Sequence, residues 1–325
     1  MITSPKYKPE NGALKIKLPV RNPLEDYESW YFESFLDNGN QIRISYRINE
    51  TYSLPILYGV QVELIEDEQV SILSESFTSS EVEFSSEKCN HKLGNNWILD
   101  LGGYFEIHAE INGTIIQLRF YPEIEGFNNR SDSVVNQNIS GTKFMGWNIP
   151  VPKAKVTGFI DQKGQKANVK GIGYHDHIWG NSTQNKEIKQ LCLGKIHDGD
   201  LLIYYTLVIE HGQSMLLGKL IAAHKDNKAI IWESSLLGET IKAKIVGYDT
   251  VEETGDKIPK QIILRHNDIE LNIALKEIFL RKEFMKHRLG GKYFFRFLGE
   301  ESYKLKFDKK IFSGKTNSLH EVLIF

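Results

Sequence analysis

Alternation of apolar and polar residues with a period of two restricts this chain more than any other feature. In QIRISYRI, Ile42, Ile44, Tyr46 and Ile48 share one face, while Arg43, Ser45 and Arg47 share the other. In YFEIHAEI, Phe105, Ile107, Ala109 and Ile111 oppose Glu106, His108 and Glu110. Successive side chains of a strand point to opposite faces, so this pattern predicts half-buried antiparallel strands. Turn residues punctuate the pattern at Asp37-Asn38-Gly39, Asn112-Gly113, Lys163-Gly164, Asp198-Gly199 and His211-Gly212, and these read as hairpin tips. The segment IALKEIFLRKEFMKH (273–287) fits either a short helix or a strand pair. A mostly β chain of 325 residues must hide its strand edges, by closing sheets into barrels or stacking them as sandwiches.

That length suits two domains. The stretch NNRSDSVVNQNISGTKFMGWNIPVPK (128–153) is polar and holds two prolines, the composition of a linker. A boundary is therefore expected near residue 150, giving β domains at 1–150 and 151–325. In LDNGNQIRISYRI and HDGDLLIYYTLVI a turn precedes an apolar strand in each half. This fits a duplicated barrel, or β grammar that the two halves share by chance.

A net charge of −2 provides no overall field to draw nucleic acid or an anionic membrane. Cys89 and Cys192 are the two cysteines and lie far apart, so no disulfide framework is expected and a reducing compartment is. The N-terminal MITSPKYKPENGALKIKLPV lacks the apolar core of a secretory signal, and no run of about 18 apolar residues marks a membrane span. The expected location is the cytoplasm, and the five N-x-S/T triplets, such as Asn49-Glu-Thr51, read as chance. Residues 276–310 mix Lys and Arg with Tyr293, Phe294, Phe295 and Phe297, but Glu277, Glu283, Glu300, Glu301 and Asp308 are interspersed. A solvated sheet face with at most peripheral membrane contact is the expectation, and no nucleic-acid partner.

Acid, base and aromatic side chains concentrate in GIGYHDHIWGN (171–181). On a strand, Tyr174, Asp176 and Ile178 would share one face, and His175, His177 and Trp179 the other. The His175-x-His177 pair has the spacing of two zinc ligands, but the other histidines are scattered and no second cluster completes a site, so no metal is expected. Asp176 reads in two ways. In an apolar cavity its carboxyl would hold a proton and act as an acid. In a packed turn it would accept backbone N–H groups and be structural. A second constellation is EDYESWYFE (25–33), where Glu28, Trp30 and Phe32 would share a face. A Trp that plugs the end of a barrel explains it equally well.

Taken together, E-S-W-Y-F followed by D-N-G, and then G-x-G-Y-x-D-H-x-W-G in mid-chain, resemble the lipocalin-like proteins that include carotenoid 1,2-hydratase (hydroxyneurosporene synthase), kievitone hydratase and fungal decalin-forming Diels–Alderases. The final G-K-T-N-S-L-H-E-V-L-I-F also resembles that family's last strand, with Gly314 and Glu321 at its Gly and Glu positions. The resemblance implies an all-β protein of two lipocalin-like antiparallel barrels packed side by side. It implies an apolar pocket for a long unsaturated isoprenoid, polyene or polyketide, and hydration or cyclisation without a cofactor. Asp176 and His177 match the family's D-H pair and would be catalytic, with Asp176 as proton donor and His177 positioning it. Tyr174, Trp179, Trp30, Glu28 and His175 would line the substrate site. Two alternatives share the same barrel: a pericyclase that works by folding a polyene, and a non-catalytic carrier of a hydrophobic ligand.

Overall fold

A computed structural model describes residues 12–15, 26–49, 57–66, 69–126, 145–180, 188–210, 216–225, 227–235, 238–239, 241–252, 255–283, 293–307 and 310–324. The chain divides into two compact units, Met1–Ser182 and Thr183–Phe325. Nearly all of the described chain is strand, apart from one short 3₁₀ turn at Ser79–Glu81. No helix among the described residues is long and apolar enough to cross a membrane.

Unit 1 is a sheet of eleven antiparallel strands that closes almost completely into a barrel. They are β1 (Tyr27–Leu36), β2 (Gln41–Ile48), β3 (Tyr58–Glu66), β4 (Gln69–Phe77), β5 (Val82–Phe84), β6 (Asn90–Leu93), β7 (Asn96–Asp100), β8 (Phe105–Ile111), β9 (Thr114–Pro122), β10 (Met145–Gln162) and β11 (Gln165–Gly180). Two-residue hairpins at Asn112-Gly113 and Lys163-Gly164 carry positive φ at both positions, the conformation whose twist matches the flanking strands. Across the interior, the Tyr46 hydroxyl on β2 donates to the carbonyls of Trp97 (2.9 Å) and His108 (2.6 Å) on the far wall. The apolar faces read from QIRISYRI and YFEIHAEI both turn into this core.

Unit 2 forms a half-barrel of ten strands. They are β12 (Ile188–Asp198), β13 (Leu201–Glu210), β14 (Leu216–His224), β15 (Asn227–Ser235), β16 (Gly238–Glu239), β17 (Lys242–Thr250), β18 (Lys257–His266), β19 (Ile269–Glu283), β20 (Tyr293–Phe307) and β21 (Lys310–Ile324). Its core gathers Tyr205, Leu207, Ile262, Leu271, Phe295 and Val322. Both sheets wind alike: the first strand pairs with the last, β1 with β11 and β12 with β21, and meanders run outward on either side. This shared winding is the one that a duplicated unit produces.

One expectation changes and one open alternative closes. The boundary sought near residue 150 falls inside β10, whose ladders to β9 and β11 keep residues 145–180 in the first sheet. The division comes after Ser182 instead, because a Pro-containing segment read as linker includes an irregular strand that bulges near Pro150 and Pro152. The ambiguous 273–287 segment is strand as far as Glu283, and residues 284–287 lie outside the described residues. His211-Gly212 and residues 128–144 also lie outside them.

Candidate functional site

The ladder between β1 and β11 builds the site. Its register sets Trp30 opposite His177, Tyr31 opposite Asp176 and Phe32 opposite His175. Directly paired residues share a sheet face, so the ladder sorts the motif into two chemically separate clusters. The alternation expected for residues 174–179 holds throughout.

The inward cluster sits in the barrel of unit 1. His177 donates from Nε2 to Glu28 Oε1 at 2.7 Å, and both side chains are fully buried. The Glu28 carboxylate also accepts the Lys15 backbone N–H, at 2.8 and 3.0 Å to its two oxygens. Trp30 stacks on the His177 ring with centroids 5.0 Å apart and also meets His91 at 4.2 Å. Trp179 closes against His177 at 4.9 Å. His175 lies flat on Phe32 at 3.9 Å, meets the edge of Phe105, and donates from Nδ1 to the Tyr31 carbonyl at 3.0 Å. Burial pushes the imidazoles of His91 and His175 down to about 3, so both are neutral at physiological pH.

The outward cluster is smaller. Asp176 Oδ2 accepts the Tyr174 hydroxyl at 3.1 Å and the Trp147 indole N–H at 3.2 Å. Tyr174 comes from the same face of β11, and Trp147 from β10, where it pairs with Ile178. Asp176 is 5% exposed and Tyr174 is sealed, although neither belongs to the barrel core. The carboxyl therefore has a low-polarity surrounding with two oriented donors.

Asp176 and His177, adjacent in sequence, thus work on opposite faces of one strand. His177 reaches Glu28, and any influence it has on Asp176 runs through the β11 backbone. His175 is packed among Phe32 and Phe105 in the core. Glu28, Trp30 and Trp179 join the histidines, while Tyr174 joins Asp176. Two participants escaped the sequence reading. Trp147 lay in the segment taken as linker. His91 was one of the scattered histidines, and only the β6–β7 meander brings it to Trp30.

Unit 2 carries its own buried relay. His320 on β21 donates from Nε2 to Glu301 Oε1 and accepts the Tyr205 hydroxyl on Nδ1 at 2.8 Å. Gly194, opposite His320 on β12, leaves the space this ring needs: a Cβ there would lie 2.3 Å from His320 Nδ1. Glu321 pairs with Arg296 at 2.7 Å. Glu301 also helps to line a cavity of about 450 Å³ in unit 2, whose other side chains, such as Gln261, Asn272, Ser302 and Lys315, are mostly polar and unsuited to an apolar chain. Among the described residues no group of three His, Cys, Asp or Glu side chains is placed to hold a metal ion. Both cysteines are free and buried.

No family model matches the sequence, and no curated protein is similar to it by sequence. Solved structures are similar in fold. A protein from Nitrosomonas europaea with the provisional name ATTH superposes with a TM-score of 0.68 at 11% identity, covering 95% of this chain and 96% of its own. CghA superposes at 0.65 with 11% identity, covering 100% of this chain and 94% of its own. Kievitone hydratase from Nectria haematococca superposes at 0.57 with 10% identity, covering 98% of each chain. The lipocalin-like fold is therefore shared along essentially the whole chain.

Proposed function

We propose that this protein is a cofactor-independent hydratase or cyclase acting on a long hydrophobic unsaturated substrate, with Asp176 as its acid. The observation that carries the reading is the convergence of Tyr174 and Trp147 on one oxygen of Asp176. Two donors fix the carboxyl plane, and so orient the proton that the carboxyl would deliver to a carbon–carbon double bond. The cation formed would face the rings of Tyr174 and Trp147, whose π faces stabilise positive charge. Water addition with loss of one of its protons, or attack by a second double bond followed by loss of a C–H proton from the new cation, would complete hydration or cyclisation and return a proton to Asp176. The fold shared with kievitone hydratase supports this reaction class.

Within this reading His177 is a positioning residue. Locked to Glu28 and stacked on Trp30, it holds the β11 backbone from which Asp176 projects. Trp30, Glu28, Trp179 and His175 then support the site from the barrel side, while Tyr174 lines it. The proposed partner is one apolar small molecule.

A pericyclase is the second reading, in line with the resemblance of the sequence motifs to those of fungal Diels–Alderases. There, pocket shape lowers the barrier by holding a folded polyene, and Asp176 contributes only a hydrogen bond. Kinetics of Asp176→Asn separate the two. Loss of the acid lowers turnover by about 10²–10⁴ with substrate binding retained. Full turnover by Asp176→Asn overturns the acid role.

A further inference from the structure

We propose that one end of the unit 1 barrel is a carbonyl-binding site, held closed by the chain's own Gly12–Lys15 segment. The Gly12 carbonyl oxygen accepts two side-chain donors, Trp30 Nε1 at 2.8 Å and His91 Nε2 at 3.0 Å. Two N–H groups converging on one oxygen form the arrangement that binds and polarises a carbonyl. His91 is a dependable donor here because it is neutral and its partner is a carbonyl oxygen. Three residues on, the Lys15 N–H donates to both oxygens of Glu28. The barrel end thus presents a two-donor cradle and an acceptor, and a short piece of backbone satisfies both.

The occupant is small. Gly12 has no side chain, Ala13 buries only its methyl group, and Leu14 is partly buried against the core, with its N–H donated to the Ser85 carbonyl at 2.9 Å. Its polar contacts with Trp30, His91 and Glu28 come from the main chain alone, so any molecule with the same polar atoms can replace it. Phe84 and Tyr58 extend the Trp30 surface with centroid spacings of 5.7 and 5.8 Å. The ligand class follows from these groups. It carries a carbonyl next to an N–H or O–H donor, as a secondary amide or hydroxy-ketone does, on a flat apolar body. This site lies on the barrel side of β11, and its existence does not depend on the role of Asp176.

The test opens the segment in the full-length protein. A Cβ on Gly12 would lie 2.5 Å from Cys89 Cβ and 2.9 Å from its Sγ, so Gly12→Val expels the segment. The probe is prodan, a fluorescent naphthyl ketone that tests the two-donor cradle alone because it carries no N–H or O–H for Glu28, with its carbonyl-free parent dimethylaminonaphthalene as the control. Gly12→Val is expected to bind prodan at least about tenfold more tightly than the unaltered protein, with a smaller gain for the parent. Equal gains for both dyes, or none for either, overturn the carbonyl cradle. Hydrogen exchange on the unaltered protein provides a reading that requires no variant. The Lys15 amide is expected to exchange at least about tenfold faster than the Trp30 and Phe32 amides of β1. Equal protection of all three would make the segment a permanent part of the barrel and overturn its displacement.

Discussion

His177 Nε2 lies 2.7 Å from Glu28 Oε1, with both side chains sealed inside the unit 1 barrel. The pair is separated by 149 residues in sequence, and β1–β11 pairing makes the two strands neighbours. A buried carboxylate stripped from its partner leaves polar groups that water cannot reach. Glu28→Ala orphans both the His177 ring and the Lys15 N–H, and is expected to destabilise unit 1 by about 3–5 kcal/mol. Glu28→Gln retains an acceptor and should cost less, about 1–3 kcal/mol. Urea unfolding monitored by Trp fluorescence measures both. Wild-type midpoints in both variants would show that the pair bears no weight.

Acid sensitivity follows from His91 and His175. Both imidazoles are held down to about 3 by burial, against 6.5 for the ordinary group. The unfolded chain therefore binds more protons than the folded one between these values. Stability is full above pH 6.5 and falls as pH drops toward 3. Each histidine contributes a slope of about 1.4 kcal/mol per pH unit within that window. Unfolding free energies across the window should show the loss, and it should diminish in His175→Phe, a ring of similar shape that does not titrate. A flat profile would mean that these imidazoles are not buried neutral.

Gly194 offers a test of the relay in unit 2. The Cβ of Gly194→Ala would press on His320 Nδ1 at 2.3 Å and on Tyr205 Cε1 at 2.5 Å. Overpacking of this kind is expected to cost about 1–3 kcal/mol. In a His320→Ala background the contact with the imidazole disappears and only that with Tyr205 remains, so the same substitution should cost less there. Equal costs in the two backgrounds would place the strain elsewhere than at His320.

Much of the fold was legible because alternation is a local property. Ile42, Ile44, Tyr46 and Ile48 announce an inward face without reference to any partner strand. The split of Tyr174 and Asp176 from His175 and His177 follows from the same rule, and the ladder register agrees with it. Pairing across long separations was not legible. Nothing near His177 specifies Glu28, and nothing near Asp176 specifies Trp147, whose segment reads as polar and proline-interrupted. Tyr205, Glu301 and His320 come from three separate strands, and the glycine that makes room for them carries no signal of its own. The domain boundary slipped for a related reason. Pro150 and Pro152 look like linker residues, yet a bulged strand accommodates them.

Transfer of a proton from solvent to substrate carbon tests the central claim most directly. The full-length protein is incubated in deuterated water with a panel of apolar polyenes, and the recovered molecules are analysed by mass spectrometry. The account predicts a hydrated or cyclised product that carries one carbon-bound deuterium, formed by the unaltered protein and lost in Asp176→Asn. A product formed without carbon-bound deuterium, or polyenes that bind and return unchanged, would contradict it.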